Sequence, residues 1–181
     1  MSTKGFFKAN NLDEILELKA DYGDEACVLA GGTDLMVKVN RLETEVPYFL
    51  YIREAGIDYI KEKEDKIIIG SAVTLQNLKN SDLLKEHLPM LVEAVKQMGS
   101  VAIRNVATLG GNICNASPAA DTAVPLLAYG TKVKIQSKDR QREVNLNDFF
   151  QAPGETVLKN NEIVKEFVIN KKSSSDWAYK K

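Results

Sequence analysis

The adjacent glycines Gly31 and Gly32 place the strongest constraint on how this chain can fold. They follow a short apolar run at residues 26–30 that predicts a buried strand, and they precede residues 35–42, which predict a helix. A glycine pair is costly unless the backbone needs a positive φ or something approaches it closely. We therefore expect a sharp strand-to-helix turn, either a tight turn only or a turn whose backbone N–H groups face an anion.

The segments around this turn predict a parallel α/β unit at the start of the chain. Leucine and isoleucine side chains in residues 12–18 share one helical face, and Tyr22-Gly23-Asp24 ends that helix. Residues 48–52, introduced by Pro47, predict a second strand. A helix, strand, turn, helix and strand in this order are typical of parallel strand pairing.

The remainder of the chain predicts a second unit with mainly antiparallel strands. Residues 59–63 and 66–69 predict one hairpin, and residues 132–136 and 143–146 predict another. The other expected elements are a helix capped by Thr74, helices at residues 90–98 and 119–129, and a strand at 163–169. We predict an α+β fold with one lobe at residues 1–55 and a second at residues 56–170.

Composition excludes several functions. The 181 residues carry a formal net charge of -1, so no global field attracts nucleic acid or anionic lipid. The longest apolar run is much shorter than the roughly 18 residues of a membrane span. The single histidine, His87, gives triad catalysis almost no basis. Cys27 and Cys114 cannot supply the full thiolate set of an iron–sulfur cluster, and we expect both to be reduced thiols.

The N-terminal residues lack the apolar core and the small-residue cleavage site of a secretory signal. We therefore expect a cytoplasmic protein.

A second glycine pair, Gly110-Gly111, followed by Asn112, echoes the first. We interpret it as a second turn where a ligand could lie on the backbone, with the Asn112 amide as donor and acceptor. Two such turns suggest one long polyphosphate ligand held from two lobes, and a dinucleotide has that shape. Neither turn contains a Walker A or a GxGxxG motif, so the spacing alone names no nucleotide.

Side chains near these turns have two interpretations each. Thr33 can donate to a phosphate or cap the helix, whereas Asp34 would repel a phosphate, so we expect its carboxylate to cap backbone N–H groups. Arg104 is a candidate phosphate ligand or one half of an ion pair. Ser117 and Asp121 are candidate caps of the following helix.

Three stretches in order, AGGTDLM, IGSAVTLQNL and GSVAIRNVATLGGNICNASPAADTAVPLLA, resemble a known family. They are similar to the FAD-binding subunit of the molybdenum hydroxylases, the relatives of xanthine dehydrogenase and carbon monoxide dehydrogenase. The resemblance covers residues 5–181. It implies the two-lobed FAD-binding fold of the vanillyl-alcohol-oxidase (PCMH) type, with a small parallel α/β lobe and a larger lobe with a mainly antiparallel sheet.

The resemblance also implies a set of FAD-binding residues. The first glycine segment would enclose the pyrophosphate, the second would form the opposite wall, and Met98 stands where some relatives place an aromatic residue under the adenine. No catalytic or metal-binding residue is implied. The implied cofactor-binding residues are Val28, Leu29, Ala30, Gly31, Gly32, Thr33, Asp34, Leu35, Met98, Thr108, Leu109, Gly110, Gly111, Asn112, Ile113, Asp121, Val164 and Lys180.

The activity implied by the resemblance is electron transfer. A partner subunit with molybdopterin hydroxylates a purine or other N-heterocycle, an iron–sulfur subunit with [2Fe-2S] clusters relays the electrons, and FAD passes them to NAD or another acceptor. Two alternatives stay open, a standalone flavin-dependent reductase or oxidase and a non-redox nucleotide-binding module. Relatives continue well beyond this length, so we expect residues 171–181 to begin a C-terminal domain that is missing here.

Overall fold

The computed structural model describes residues 3–171, and its first sheet consists of three parallel strands. β1 (Gly5–Lys8), β2 (Ala26–Leu29) and β3 (Tyr48–Tyr51) pair in the order β1-β3-β2. α1 (Leu12–Tyr22) and α2 (Leu35–Asn40) provide the connections that parallel strands require. The predicted parallel unit is therefore present. Sequence reasoning missed β1, a four-residue strand that exists because β3 offers a paired edge along its length.

The second sheet has five antiparallel strands in the order β4-β5-β10-β6-β7. β4 (Ile60–Lys63) and β5 (Lys66–Gly70) form the first predicted hairpin, and β6 (Lys132–Gln136) and β7 (Gln141–Asn145) form the second. The last strand, β10 (Ile163–Asn170), lies between the two hairpins and joins them into one sheet. A small further hairpin pairs β8 (Phe150–Ala152) with β9 (Glu155–Thr156).

Six helices follow β5 and connect it to β6. They are α3 (Leu75–Asn80), α4 (Asp82–His87), α5 (Pro89–Lys96), α6 (Val101–Val106), α7 (Leu109–Cys114) and α8 (Ala123–Ala128). The Thr74 hydroxyl caps α3 as predicted, accepting from the Asn77 N–H at 3.1 Å. The helix expected at residues 119–129 is shorter, because its first hydrogen bonds form only after Thr122.

The second glycine pair is not a turn, contrary to the sequence interpretation. Gly110 and Gly111 lie in the first turns of α7, and the Thr108 hydroxyl accepts from the Gly111 N–H at 3.1 Å. Glycine disfavours helix, yet Leu109 and Ile113 on the same helix are fully buried. Tertiary packing of these two side chains outweighs the local preference against helix at the pair.

Two hydrophobic cores underlie the two sheets. The larger core packs side chains of the antiparallel sheet, including Ile67 and Phe167, against the helices. The smaller core packs Ile15 and Leu50 of the parallel unit, and it also takes in Ile163 from β10. The strand that completes the larger sheet therefore also contacts the smaller core, and this position sets one wall of the site. The lobe boundary at residues 55 and 56 stays a prediction.

Candidate functional site

A cleft of about 330 Å³ opens between the two cores. Its volume lies within the range of small-molecule sites. Four parts of the chain line it: residues 27–35 with Lys38, residues 52 and 71, seven residues between Ala107 and Asn115, and residues 158 and 162–164. A ligand in this cleft would contact both glycine segments at once.

The first glycine segment supplies unpaired backbone donors. The N–H groups of residues 31–35 form no hydrogen bond within residues 3–171. Gly32 has φ +70, a conformation that glycine adopts without strain. The first N–H groups of a helix have no partner within the helix, and a group of such successive free donors beside a cleft is suited to an anion.

Two of the four glycines are required by contacts within the protein itself. A Cβ on Gly31 would lie 2.1 Å from the Val106 carbonyl oxygen, and one on Gly110 would lie 2.6 Å from the Ser71 Cβ. Both contacts involve neighbouring backbone segments rather than open space. A Cβ on Gly111 would meet only the Thr108 Oγ1 within 4 Å, at 3.0 Å. Of the four, Gly111 is the one whose bare side leaves room for a ligand.

The carboxylate of Asp34 does not cap the helix, which corrects the sequence prediction. Asp34 precedes α2 with φ -102 and ψ -47, already helical, so its side chain lies outside the geometry of a cap. It accepts instead from the Asn115 Nδ2 and from the Thr33 hydroxyl, each at 3.3 Å. Lys38 Nζ donates to the Asn115 Oδ1 at 3.3 Å. These contacts join α2 to the C-terminal end of α7 across the cleft.

Lys38 is the only cationic side chain that lines the cleft among the described residues, and sequence reasoning missed it. A signal was available, because Lys38 stands one helical turn after Asp34 and directly follows the glycine segment. A lysine beside unpaired backbone donors adds a charge that attracts a phosphate group.

Three ionisable groups that line the cleft have shifted pKa values: the thiols of Cys27 and Cys114 and the carboxyl group of Glu162. Burial raises the pKa of the Cys27 thiol and raises the pKa of Cys114 to about 12. A hydrogen bond from Arg142 lowers the pKa of Glu162, which stays ionised. The cleft lining within residues 3–171 contains no histidine. These pKa shifts favour the neutral thiol at Cys27 and Cys114 and the ionised carboxylate at Glu162.

Arg104 has a structural role that neither sequence interpretation anticipated. Its side chain is 7% exposed, and its Nη1 donates to the carbonyl oxygens of Met98 and Gly99 at 2.8 and 2.9 Å. Its Nε donates to the Gln76 Oε1 at 3.2 Å. The guanidinium therefore holds the turn before α6 to α3, and Arg104 does not line the cleft.

Not all residues expected from the sequence meet at the cleft. Leu109 and Ile113 are fully buried in the larger core and do not line the cleft, and Met98 packs against the same core. Asp121 lies before α8 outside the lining, and Lys180 lies outside the described residues. The expected residues that do line the cleft are Val28, Leu29, Ala30, Gly31, Gly32, Thr33, Asp34, Leu35, Thr108, Gly110, Gly111, Asn112 and Val164.

A small parallel sheet, a larger antiparallel sheet and a cleft lined by unpaired backbone donors are the features of a two-lobed cofactor-binding domain. Residues 2–171 match the model of the family described as the FAD binding domain in molybdopterin dehydrogenase. The chain belongs to this family, and FAD is its cofactor.

Curated relatives agree with this assignment. The chain is 36% identical over 164 residues to the xanthine dehydrogenase FAD-binding subunit of Escherichia coli O157:H7, covering 90% of this chain and 56% of that protein. It is 30% identical over 171 residues to the nicotinate dehydrogenase FAD-subunit of Eubacterium barkeri, covering 92% and 58%. The chain thus spans little more than half the length of these relatives.

Solved structures support the fold. A structure of carbon monoxide dehydrogenase from Hydrogenophaga pseudoflava matches with a TM-score of 0.92 at 23% identity, covering 96% of this chain and 61% of that one. Quinoline 2-oxidoreductase from Pseudomonas putida 86 matches with a TM-score of 0.90 at 21% identity, covering 96% and 60%. At this level of identity the matches establish the architecture alone.

Two further features concern residues 3–171, the part of the chain that the structure describes. No helix there is both long and apolar enough to cross a membrane. No group of three or more His, Cys, Asp or Glu side chains there is suited to a metal ion.

Proposed function

We propose that this chain is the FAD-binding electron-transfer part of a molybdenum-containing hydroxylase or dehydrogenase. In this proposal it receives electrons from the [2Fe-2S] clusters of a partner subunit and passes them to NAD or another acceptor. The substrate, oxidised at a molybdopterin subunit, would be a purine or another N-heterocycle. The observation that carries the proposal is a cleft lined by unpaired backbone donors and one lysine within residues 3–171.

The residues of the cleft fit a flavin dinucleotide. The N–H groups of residues 31–35 and the Lys38 ammonium would bind the pyrophosphate, because they are the donors and the cation on one side of the cleft. Val28, Ile52 and Val164 provide an apolar surface that would exclude water from a ring system. When bound, FAD supplies the redox chemistry, and the protein supplies binding, orientation and electrostatics.

The roles assigned to single residues belong to this proposal. The segment from Val28 to Leu35 and the residues Thr108 to Asn112 would hold FAD from its two sides. Asn112 would be positioned by Thr122, whose hydroxyl donates to the Asn112 Oδ1 at 2.5 Å, leaving the Asn112 amide NH₂ available as a donor. Val164 would contact the ring system.

The proposed partners are based on the relatives, which include the FAD-binding subunit of a xanthine dehydrogenase and the FAD-subunit of a nicotinate dehydrogenase. We propose that this chain likewise works beside an iron–sulfur subunit and a molybdopterin subunit. A standalone flavoenzyme would need groups for the chemistry of its own substrate, and the cleft lining within residues 3–171 contains no histidine for proton transfer.

Release of the bound ligand tests the cofactor, and reduction of the holoprotein tests the acceptor. The purified chain is denatured and the ligand that it releases is identified by chromatography. We expect FAD; FMN, another nucleotide or no ligand from a folded sample would contradict the proposal. The FAD-loaded chain is then reduced without oxygen and mixed with NAD, and reoxidation that follows NAD concentration is expected. If only other acceptors reoxidise the bound FAD, one of them takes the place of NAD in the proposed electron path.

A further inference from the structure

We propose that the hydroxyl of Ser71 is a direct ligand of the bound FAD. This inference rests on the proposed FAD site and adds to it a residue from a third part of the chain. Ser71 directly follows β5, and it lines the cleft. Its side chain is 3% exposed, and its Oγ has no hydrogen-bond partner.

The backbone of Ser71 is held in place on two sides. Its N–H donates to the Lys165 carbonyl of β10 at 3.0 Å, and its own carbonyl accepts from the Gly110 N–H of α7 at 2.8 Å. The close approach of Gly110 leaves no space for a side chain between them. The backbone of Ser71 therefore cannot move to bring its hydroxyl to another partner within the protein.

An unpaired buried hydroxyl is uncommon because a buried polar group without a partner destabilises the fold. Only one other buried side-chain atom in the described residues lacks a partner, the Oε1 of Gln136 on β6, and Gln136 does not line the cleft. A ligand in the cleft would remove the cost at Ser71. A serine hydroxyl both donates and accepts, and FAD offers phosphate oxygens, hydroxyls and carbonyls to it.

The position of Ser71 also explains why sequence reasoning did not select it. Ser71 is part of IGSAVTLQNL, where it appears as the small residue at the end of a strand. Its burial depends on the docking of α7, which is distant in the chain. The unpaired state of its hydroxyl is visible only once that helix is in place.

The experiment compares Ser71→Ala with Ser137→Ala in the 181-residue chain. Ser137 is a matched control because it is also buried, at 7% exposure, while its Oγ donates to the Arg140 carbonyl at 3.2 Å away from the cleft. Each FAD-free variant is titrated with FAD, and its thermal unfolding is followed without FAD. Ser71→Ala is expected to weaken FAD binding about five- to tenfold, the effect of one lost hydrogen bond.

Without FAD, Ser71→Ala is expected to unfold at the same or a higher temperature, because it removes an unpaired hydroxyl. Ser137→Ala is expected to unfold at a lower temperature and to keep its FAD dissociation constant within about twofold, since it loses a bond outside the site. FAD binding by Ser71→Ala within twofold of the unaltered chain would overturn the proposal. A fall in FAD-free stability that accounts for the weaker binding would also overturn it. Failure of the unaltered chain to bind FAD would instead contradict the proposed function.

Discussion

At the scale of the residue, four glycines that look alike in the sequence are under different physical constraints. Gly31 and Gly110 are required because neighbouring backbone or Ser71 occupies the space of a Cβ. Gly32 is required by its φ of +70. Gly111 has neither constraint, because it is helical and meets only the Thr108 Oγ1. Close approach of a ligand therefore explains at most one of the four.

This distinction predicts that Gly111→Ala separates FAD binding from folding. The added methyl group stands in the cleft wall, and we expect FAD affinity to fall at least about tenfold while the free energy of unfolding changes by less than about 1 kcal/mol. FAD titration and urea unfolding measure the two quantities.

Gly31→Ala is the matched control. Its methyl group would overlap the Val106 carbonyl, and we expect the free energy of unfolding to fall by at least about 3 kcal/mol. If Gly111→Ala keeps full FAD affinity, the ligand does not lie against the first turns of α7. Gly32→Val is less informative, since a β-branched residue at φ +70 is strained with or without FAD.

At the scale of the element, an ion pair fixes the start of β10 at the cleft. Glu162 directly precedes this strand, and Arg142 of β7 donates to its two carboxylate oxygens at 2.8 and 2.7 Å. The Lys159 N–H donates to the same carboxylate at 2.9 Å, and Arg142 also donates to the Val157 carbonyl. One guanidinium thus connects a strand, a loop and the entry into the central strand of the larger sheet.

This ion pair predicts a pH dependence of stability. The Arg142 hydrogen bond lowers the pKa of Glu162 in the folded chain below its ordinary value of 4.5. The unfolded chain therefore binds the proton more readily, and the stability from this carboxylate is present above pH 4.5 and lost as the pH falls through the folded pKa. Glu162→Gln should lower the free energy of unfolding by about 1–3 kcal/mol at pH 7, and the difference should narrow below pH 4.5.

Urea unfolding at a series of pH values measures this difference. Glu143→Gln is the control, because Glu143 forms an exposed pair with Lys132 and should cost less than about 1 kcal/mol. The prediction fails if the free energies of unfolding of Glu162→Gln and the unaltered chain differ by the same amount at pH 7 and below pH 4.5. Such a result would show that the charge of Glu162 does not contribute to stability.

At the scale of the whole molecule, several direct contacts connect the two sides of the cleft. Asn115 bonds to both Asp34 and Lys38 across the cleft. Gly31 packs on the Val106 carbonyl, and Arg53 Nη2 donates to the Asn105 carbonyl at 3.5 Å. A ligand between the cores would add contacts to both at once. Such a ligand binds only the folded chain and therefore stabilises it.

FAD is accordingly expected to raise the unfolding temperature. At a free concentration about a hundred times the dissociation constant, the gain is about 2.7 kcal/mol, which corresponds to roughly 5–11 °C for a chain of this length. Differential scanning fluorimetry with increasing FAD measures the shift. Riboflavin, which lacks the pyrophosphate, should give a smaller shift at the same concentration. An equal shift with riboflavin would contradict the role of the glycine segment and Lys38.

Much of the fold was predictable because its signals are local. Alternating and apolar runs predicted the two hairpins, the parallel unit and the strand at 163–169, and Thr74 marked the start of α3 correctly. The first glycine segment was correctly predicted as a strand-to-helix turn, and the order of three motifs indicated the family that the family model confirms. These features depend on residues within a few positions of each other.

The remaining features depend on contacts between distant segments. β1 needs the edge of β3, the helical state of Gly110-Gly111 needs the burial of Leu109 and Ile113, and β10 is central because it joins two hairpins. The sequence by itself determined most of the elements and, through the order of its motifs, the family and the cofactor. Only the tertiary structure decided which glycines serve the protein and which leave room for a ligand. It also placed Lys38 and Ser71 in the cleft, because burial and pairing arise when distant segments pack together.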